Sequence, residues 1–197
     1  MDKAVINQLP IESLRGKRVF VRIDADIEQP SDGLPLDEDK LRAALPTLEF
    51  LTAQGARVVI GTHLGDPGGR PVDPLRVGAV AERLSHLIGK NVRKLDEAIG
   101  RNALARVTEM RDGEIIVLEN LRFHPGEDAN DGKFARDLAE LCDVYCNDAF
   151  SVAHRGMAST VAITRRSERR CASRSTMAWR SARILRFPTS RALAAAR

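Results

Sequence analysis

The chain has 197 residues, a formal net charge of +4 at neutral pH and a hydrophobic fraction of 43%. A chain of this length can bury one sizeable core, so we expect one domain of an ordinary soluble type. No apolar run reaches the roughly 18 residues that span a bilayer. The N-terminus also lacks the apolar segment of a secretory signal. These features exclude a transmembrane protein and predict a cytoplasmic one.

The charge is divided unevenly at Ile163. Residues 164–197 contain ten Arg and one acidic residue, and the remaining 21 basic and 26 acidic residues give the rest of the chain a net charge of −5. A mildly acidic body argues against nucleic acid as a partner, and the tail offers only Trp179 and Phe187 for stacking on bases. We therefore expect a domain at 1–163 and an Arg-rich tail without a fold at 164–197. The composition of the tail is typical of an out-of-frame reading of a GC-rich gene.

Short runs rich in β-branched residues alternate with helical patterns along the body of the chain. They predict strands at 17–24, 57–63, 91–94, 114–119 and 143–147. The intervening patterns predict helices at about 37–55, 74–88, 96–110 and 133–141. Asp37 is the expected cap of the first helix, and Gly55 its end. This alternation predicts an α/β fold of three layers, with a doubly wound, mostly parallel sheet and helices on both faces.

Polar clusters follow four of the predicted strands, at residues 22–26, 62–65, 119–124 and 147–150. The carboxyl ends of parallel strands lie at one edge of a sheet, where ligands bind in such folds. The sequence therefore predicts a polar crevice at that edge, although the fold alone does not name its ligand.

Two other patterns do not indicate a cofactor or metal site. Cys142, Cys146 and Cys171 lack the spacing of zinc or redox pairs, and we expect buried structural thiols. The glycines at 65, 68 and 69 are not followed by the Lys and Ser or Thr of a phosphate-binding loop, so we interpret them as a loop after a strand.

A series of motifs identifies the family that the chain resembles. In chain order they are VRIDAD, LRAALPTLEFL, GARVVIGTHLGDPGG, VAERLSHLIG, LENLRFHPGEDAND, LAELCDVYCNDAFSVAHR and MASTV. From Leu14 to Ile163 they resemble the successive signatures of phosphoglycerate kinases. The resemblance implies phosphoryl transfer between 1,3-bisphosphoglycerate with ADP and 3-phosphoglycerate with ATP, in glycolysis, by a monomer of two doubly wound domains that close about a hinge.

The motifs match only the first of those two domains, which holds the acid substrate. The second domain, which binds Mg-ATP or Mg-ADP in the family, is expected to be absent, so the chain alone is expected to be inactive. The resemblance implies that Arg122 and Arg155 bind the substrate phosphate, that His63 is a further substrate contact, and that Asp24 bonds the substrate hydroxyl. Arginine suits an anionic ligand because its planar fork bonds two oxygens at once.

Three substrate-binding positions depart from the family pattern, and all three make the crevice less basic. Asp26 stands where the family has Asn, Lys40 where it has the arginine that stabilises the transferring phosphoryl group, and Asp66 where it has the arginine of HLGR. Met157 stands where the family has a second histidine. Lys40 is the expected catalytic residue, although it lacks the fork of arginine.

Several alternatives remain open. The chain is either a working substrate domain or a non-catalytic binding or degenerate paralogue of the kinase. Taken singly, Asp24 and Asp26 are also typical turn formers, Arg122 is also compatible with a surface arginine that packs its stem, and His124 is best interpreted as a residue that ties down its own loop.

Overall fold

The computed structural model describes residues 13–26, 38–149, 151 and 155–164, together with the backbone of the pair 182–183. The strands in this part of the chain are parallel to their neighbours and lie in the order β3-β4-β2-β1-β5-β6. They are β1 (Arg18–Arg22), β2 (Arg57–Gly61), β3 (Val92–Lys94), β4 (Ile115–Val117), β5 (Val144–Asn147) and β6 (Ala182–Arg183). The predicted α/β fold with a parallel sheet is thus confirmed.

The last strand falls within the tail for which no fold is expected. Ala182 pairs with Cys146 and Arg183 with Asn147, so the tail departs from that expectation at these two residues. The rest of the tail after Thr164 lies outside the described residues.

The helices connect successive strands, and the first three are shorter than the sequence predicts. They are α1 (Asp39–Ala53), α2 (Gly78–Ile88), α3 (Arg101–Thr108) and α4 (Gly132–Glu140). Helix α2 does not begin at Pro74, because Arg76 is extended (φ −72°, ψ 142°) and separates it from a 3-10 turn, Asp73–Leu75. Helix α3 begins late because Gly100 has a φ of 109°, which no right-handed helix contains. The proposed cap Asp37 lies outside the described residues.

Both faces of the sheet are covered, which explains the continuous apolar character of its strands. Val19, Val21, Val58 and Ile60 pack against α1 and α2 on one face. Phe20, Val59 and Ile116 pack on the other face with α3, α4 and a π-helical turn, Ala158–Ala162. Neighbouring residues of one strand therefore enter different cores. Cys142 and Cys146 are buried, as expected for structural thiols, and Cys171 lies outside the described residues.

A glycine in β2 makes room for an aromatic ring of β1. A Cβ atom added at Gly61 would lie 2.3 Å from Cζ of Phe20, far inside van der Waals contact. The same Phe20 ring stacks on Tyr145 of β5, with centroids 5.9 Å apart and planes inclined by 19°. One ring thus links the three central strands.

All strands of the sheet end at the same edge. The loops that follow β1, β2, β4 and β5 meet there, and they carry the polar clusters that the sequence singles out. No helix among the described residues is long and apolar enough to cross a membrane.

Candidate functional site

The loops after β1 and β2 are joined through Thr62. Its hydroxyl donates to the carbonyl of Ile23 and accepts from the amide of Ala25, both at 3.2 Å. Thr62 is fully buried, so these bonds are shielded from water. They fix the position at which the chain presents Asp24 and Asp26 to the edge of the sheet.

Asp24, Asp26 and Lys40 form a charged group at this edge. The Lys40 ammonium donates to the backbone carbonyl of Asp26 at 2.5 Å and lies 3.8 Å from Oδ1 of Asp24. Oδ1 of Asp24 also accepts from the amide of Asp26 at 3.1 Å, and its Oδ2 accepts from the Ser151 hydroxyl. Asp24 is therefore a turn residue, through its bond from the Asp26 amide, and it also lies in the charged group at the edge of the sheet.

The Asp26 side chain faces the loop after β2. Its Oδ1 accepts from the amide of Gly65 at 2.7 Å, and its Oδ2 lies 3.6 Å from Nε2 of His63. The carboxylate is about two-fifths exposed, at 39%. The carboxylate thus occupies the Gly65 amide and places a negative charge near Nε2 of His63, a donor that an anionic ligand would otherwise meet.

His63 is buried at the end of β2, with Arg22 behind it. Nη2 of Arg22 lies 2.8 Å from Nδ1 of His63. Burial, followed by the positive charges of Arg22 and Arg122, lowers the pKa of His63 to about 3. The imidazole is therefore neutral at physiological pH.

Arg122 joins the loop after β4 to the loop after β2. Its Nη1 donates to the carbonyl of Gly65 at 2.7 Å, and its Nε lies 3.3 Å from Oδ1 of Asp128 without hydrogen-bond geometry. The side chain of Asn120 accepts a hydrogen bond from the Arg122 amide and donates to the carbonyls of Leu64 and Leu75. Arg122 is 6% exposed, which rules out a freely solvated surface arginine.

Glu119 is buried beneath this loop and holds the neighbouring segments together. Its carboxylate accepts from Arg76 at 3.1 Å, Lys94 at 2.8 Å, and the amides of Val77 and Asn120. Burial acts to raise the pKa of Glu119, but the bond from Lys94 and the two amide bonds outweigh it, and the pKa lies below its usual value. The residue is an ionised structural anchor.

The remaining predicted site residues lie at the rim. Asp66 is exposed in the loop after β2, and Arg155 is exposed in the loop that follows β5. The charge of Arg155 contributes to the low pKa of His63, which places it within electrostatic reach of the crevice. His124 instead accepts from the amide of Gly126 and stacks on Phe134, so it ties down its own loop as expected.

Sequence reasoning assigned no role to three buried residues behind the crevice, although the first of them belongs to the predicted cluster at 22–26. Arg22 is fully buried, Glu127 accepts from both the amide and the hydroxyl of Ser159, and Ser159 in turn contacts Arg22. Arg22 belongs to the VRIDAD motif, and an arginine at the end of a strand buried on both faces is the one signal that could have indicated it. Nothing local in the sequence brings Glu127 and Ser159 together.

The glycines after β2 lie in a loop, and packing accounts for one of them. The glycine at 69 is required by packing, since a Cβ there would lie 2.9 Å from the backbone of Pro125. Within the described ranges, no group of three or more His, Cys, Asp or Glu side chains could hold a metal ion. Packing thus accounts for the glycine at 69, whereas Gly68 has nothing within 4 Å of the position that a Cβ would take.

Comparison with known proteins gives a consistent result. The family model described as phosphoglycerate kinase matches residues 8–177. The chain is 45% identical over 164 residues to a phosphoglycerate kinase of Synechococcus elongatus and 46% identical to one of Acaryochloris marina. Each alignment covers 83% of this chain and 41% of the relative, so the chain spans about two-fifths of their length.

Solved structures agree with the sequence comparisons. A phosphoglycerate kinase from Coxiella burnetii aligns with a TM-score of 0.70 at 32% identity, over 82% of this chain and 39% of that one. One from Pyrococcus horikoshii aligns with a TM-score of 0.73 at 31% identity, over 83% of this chain and 41% of that one. On the matched range and the shared fold, the chain belongs to the phosphoglycerate kinase family.

Proposed function

We propose that this chain binds 3-phosphoglycerate or 1,3-bisphosphoglycerate in the crevice at the carboxyl edge of the sheet. It acts as the acid-binding part of a phosphoglycerate kinase, as a monomer in the cytoplasm, in the phosphoryl-transfer step of glycolysis that links these two acids. The observation that carries the proposal is the convergence of Lys40, His63 and Arg122 from three separate segments on one edge. Family membership supports the substrate class.

Each residue has a role that follows from its chemistry. Arg122 and Arg155 supply the cations for the substrate phosphate, and the anchored guanidinium of Arg122 loses little freedom on binding. His63 donates to an acid oxygen, and Asp24 accepts from the substrate hydroxyl. Lys40 is the catalytic residue that stabilises the transferring phosphoryl group, by charge alone because an ammonium has no planar fork.

Mg-ATP or Mg-ADP is the second substrate that the family name implies. We propose that it is bound, as in the family, by the second domain, to which the described residues of this chain do not belong, and we derive no step through it. A coupled assay of the purified chain with 3-phosphoglycerate and MgATP is expected to give no turnover above background. Turnover that survives repeated purification would contradict this assignment.

Ligand titration tests the proposal directly. Isothermal titration of the purified chain with 3-phosphoglycerate is expected to give a dissociation constant of about 1 mM or below, equivalent to about −4 kcal/mol. Arg122→Ala should weaken binding, whereas Arg136→Ala, an exposed arginine on α4, should not. D-glycerate, which lacks the phosphate, should bind more weakly than 3-phosphoglycerate. Equal binding by the two arginine variants would refute the site.

The placement of Asp26 favours a second candidate, a non-catalytic binding or degenerate paralogue. Its carboxylate occupies the Gly65 amide and faces His63, where an anionic ligand would need donors. This candidate predicts no detectable binding of 3-phosphoglycerate by the unaltered chain. The same titration therefore distinguishes the two functions.

A further inference from the structure

Arg22 is buried at the end of β1 with its guanidinium directed at groups inside the protein. Its Nε donates to Oγ of Ser159 at 3.0 Å, and its Nη1 donates to the carbonyl of Ile23 at 2.5 Å. Its Nη2 lies 2.8 Å from Nδ1 of His63. All three nitrogens are thus engaged within the described structure, and the side chain is 0% exposed.

The contact with His63 determines where the imidazole carries its proton. A guanidinium has donors only, so Nδ1 of His63 must be the acceptor in this bond. A neutral ring that accepts at Nδ1 carries its proton at Nε2. Nε2 lies on the side of the ring that faces the crevice, 3.6 Å from Oδ2 of Asp26. The free donor of His63 therefore points toward the ligand.

A second proton on the ring would have to enter at Nδ1, directly against Arg22. The charged groups that face His63 come from β1 and from the loops after β1, β4 and β5; they are Arg22, Asp24, Asp26, Arg122 and Arg155. Three of these five are cations, and the cation at hydrogen-bond distance is Arg22. The geometry therefore opposes a charged imidazole, whatever the pH in the physiological range.

A chain of buried hydrogen bonds holds Arg22 from behind. Because Oγ of Ser159 accepts from Arg22, its own proton is donated to Oε1 of Glu127 at 2.5 Å, and the Ser159 amide donates to Oε2 at 3.0 Å. Tyr145 donates its hydroxyl to the carbonyl of Ser159 at 2.7 Å. Glu127 is 0% exposed, and burial raises the pKa of its carboxyl while the positive charge of Arg22 and the bonds from Ser159 oppose that rise. The carboxylate thus orients Arg22 through one hydroxyl.

We infer that Arg22 is a positioning residue: backed by Ser159 and Glu127, it fixes His63 as a neutral imidazole with its proton at Nε2. His63 then serves the crevice as a hydrogen-bond donor of fixed direction and not as a charge or a base. The identity of the ligand oxygen that it meets rests on the proposed function, whereas the tautomer does not.

Nitrogen NMR of the free chain measures the tautomer. The chain is labelled with ¹⁵N-histidine, and the His63 signals are assigned by their loss in His63→Gln. We expect a protonated Nε2, an unprotonated Nδ1 and no change between about pH 5 and 8. In the urea-unfolded chain the same ring should titrate near about pH 6.5. A proton at Nδ1, or a doubly protonated ring at neutral pH, would overturn the inference.

Variants at Arg22 test whether this residue causes the effect. Arg22→Met has no donors, and we expect mixed His63 tautomers and a ring that titrates at higher pH than in the wild type. Arg22→Lys keeps one donor and should restore the Nε2 proton. Where Arg22→Met fails to fold by circular dichroism, Ser159→Ala removes the hydroxyl that links Nε of Arg22 to Glu127 and should shift the His63 signals in the same direction. Unchanged His63 signals in the folded variants would refute the role of Arg22.

Titration with 3-phosphoglycerate separates this inference from the proposed function. If both hold, the folded Arg22 variant without a donor binds about three- to tenfold more weakly, and Arg22→Lys recovers affinity. A fixed Nε2 proton in a chain that binds no 3-phosphoglycerate would refute the proposed function and leave the tautomer assignment standing. Binding of 3-phosphoglycerate by a chain with a freely titrating His63 would refute the tautomer assignment and leave the proposed function standing.

Discussion

Replacing Asp26 with Asn should tighten the binding of anionic ligands in the crevice. The carboxylate accepts the Gly65 amide at 2.7 Å and lies 3.6 Å from Nε2 of His63. Asparagine keeps an oxygen for the Gly65 amide at nearly the same volume. The substitution therefore removes a negative charge while the loop contact is retained.

The expected size follows from the exposure of the side chain. Two unit charges about 4 Å apart repel by about 4 kcal/mol at an effective dielectric of about 20, and by about 1 kcal/mol in bulk water. Asp26 is 39% exposed, and physiological salt screens charges over about 8 Å, so the lower part of that range applies. Removing the charge should contribute about 1 to 2 kcal/mol, which corresponds to about 5- to 30-fold tighter binding.

Isothermal titration with 3-phosphoglycerate measures this change, with Asp112→Asn as the matched control. Asp112 is 45% exposed and pairs with Arg57 at the opposite edge of the sheet, so the same change in net charge occurs far from the crevice. We expect tighter binding only for Asp26→Asn, and less so as salt increases. Equal affinities for the two variants would refute the local electrostatic reasoning.

Two further predictions concern stability. Gly61→Ala should lower the free energy of unfolding in urea by about 1–3 kcal/mol, because its Cβ would lie 2.3 Å from Phe20. The control Gly78→Ala should not lower it, because a Cβ there would have nothing within 4 Å. Equal effects of the two variants would contradict the steric argument. Burial acts to raise the pKa of Glu119, but the bond from Lys94 and two amide bonds outweigh it and hold the pKa below its usual value. The ionised carboxylate therefore stabilises the fold fully above about pH 4.3, and this stabilisation is lost as the pH falls through the folded pKa. Glu119→Gln should lower the free energy of unfolding at pH 7 by about 1–3 kcal/mol. Urea titrations at about pH 3–7 should also show that this free energy falls less steeply with acid than in the wild type. An unchanged fall of the free energy with acid would refute the prediction.

The sheet was predictable because burial on both faces leaves a local signature. Each of the five predicted strands is present, within a few residues of its expected bounds. A short, continuous β-branched run such as that of β2 is typical of a strand buried on both faces. Helix starts were less predictable. The delayed start of α2 depends on an extended Arg76, which the side chain of Glu119 holds from another strand end.

The crevice was predictable in location but not in its internal contacts. Parallel topology alone brings the strand ends together, so the clusters that contain Asp24, His63 and Arg122 were expected at one edge. The bond between Asp26 and the Gly65 amide depends on how the loops after β1 and β2 are positioned relative to each other. The spacing of residues in the sequence does not specify that position. Arg22 was placed in one of these clusters but was given no role, because a charged residue in a strand is ordinarily assigned to solvent. Its partners are 137 and 41 positions away in the chain.

The ring of Phe20 also limits how this sequence can change over generations. It fills the space above Gly61 and stacks on Tyr145, so a larger residue at position 61 lowers stability while the ring is in place. Divergence at these positions is therefore expected to follow an order, with a smaller residue at 20 first, a temporary void, and only then a side chain at 61. Related chains that differ here should differ at both positions together, and lineages with only position 61 enlarged should be missing.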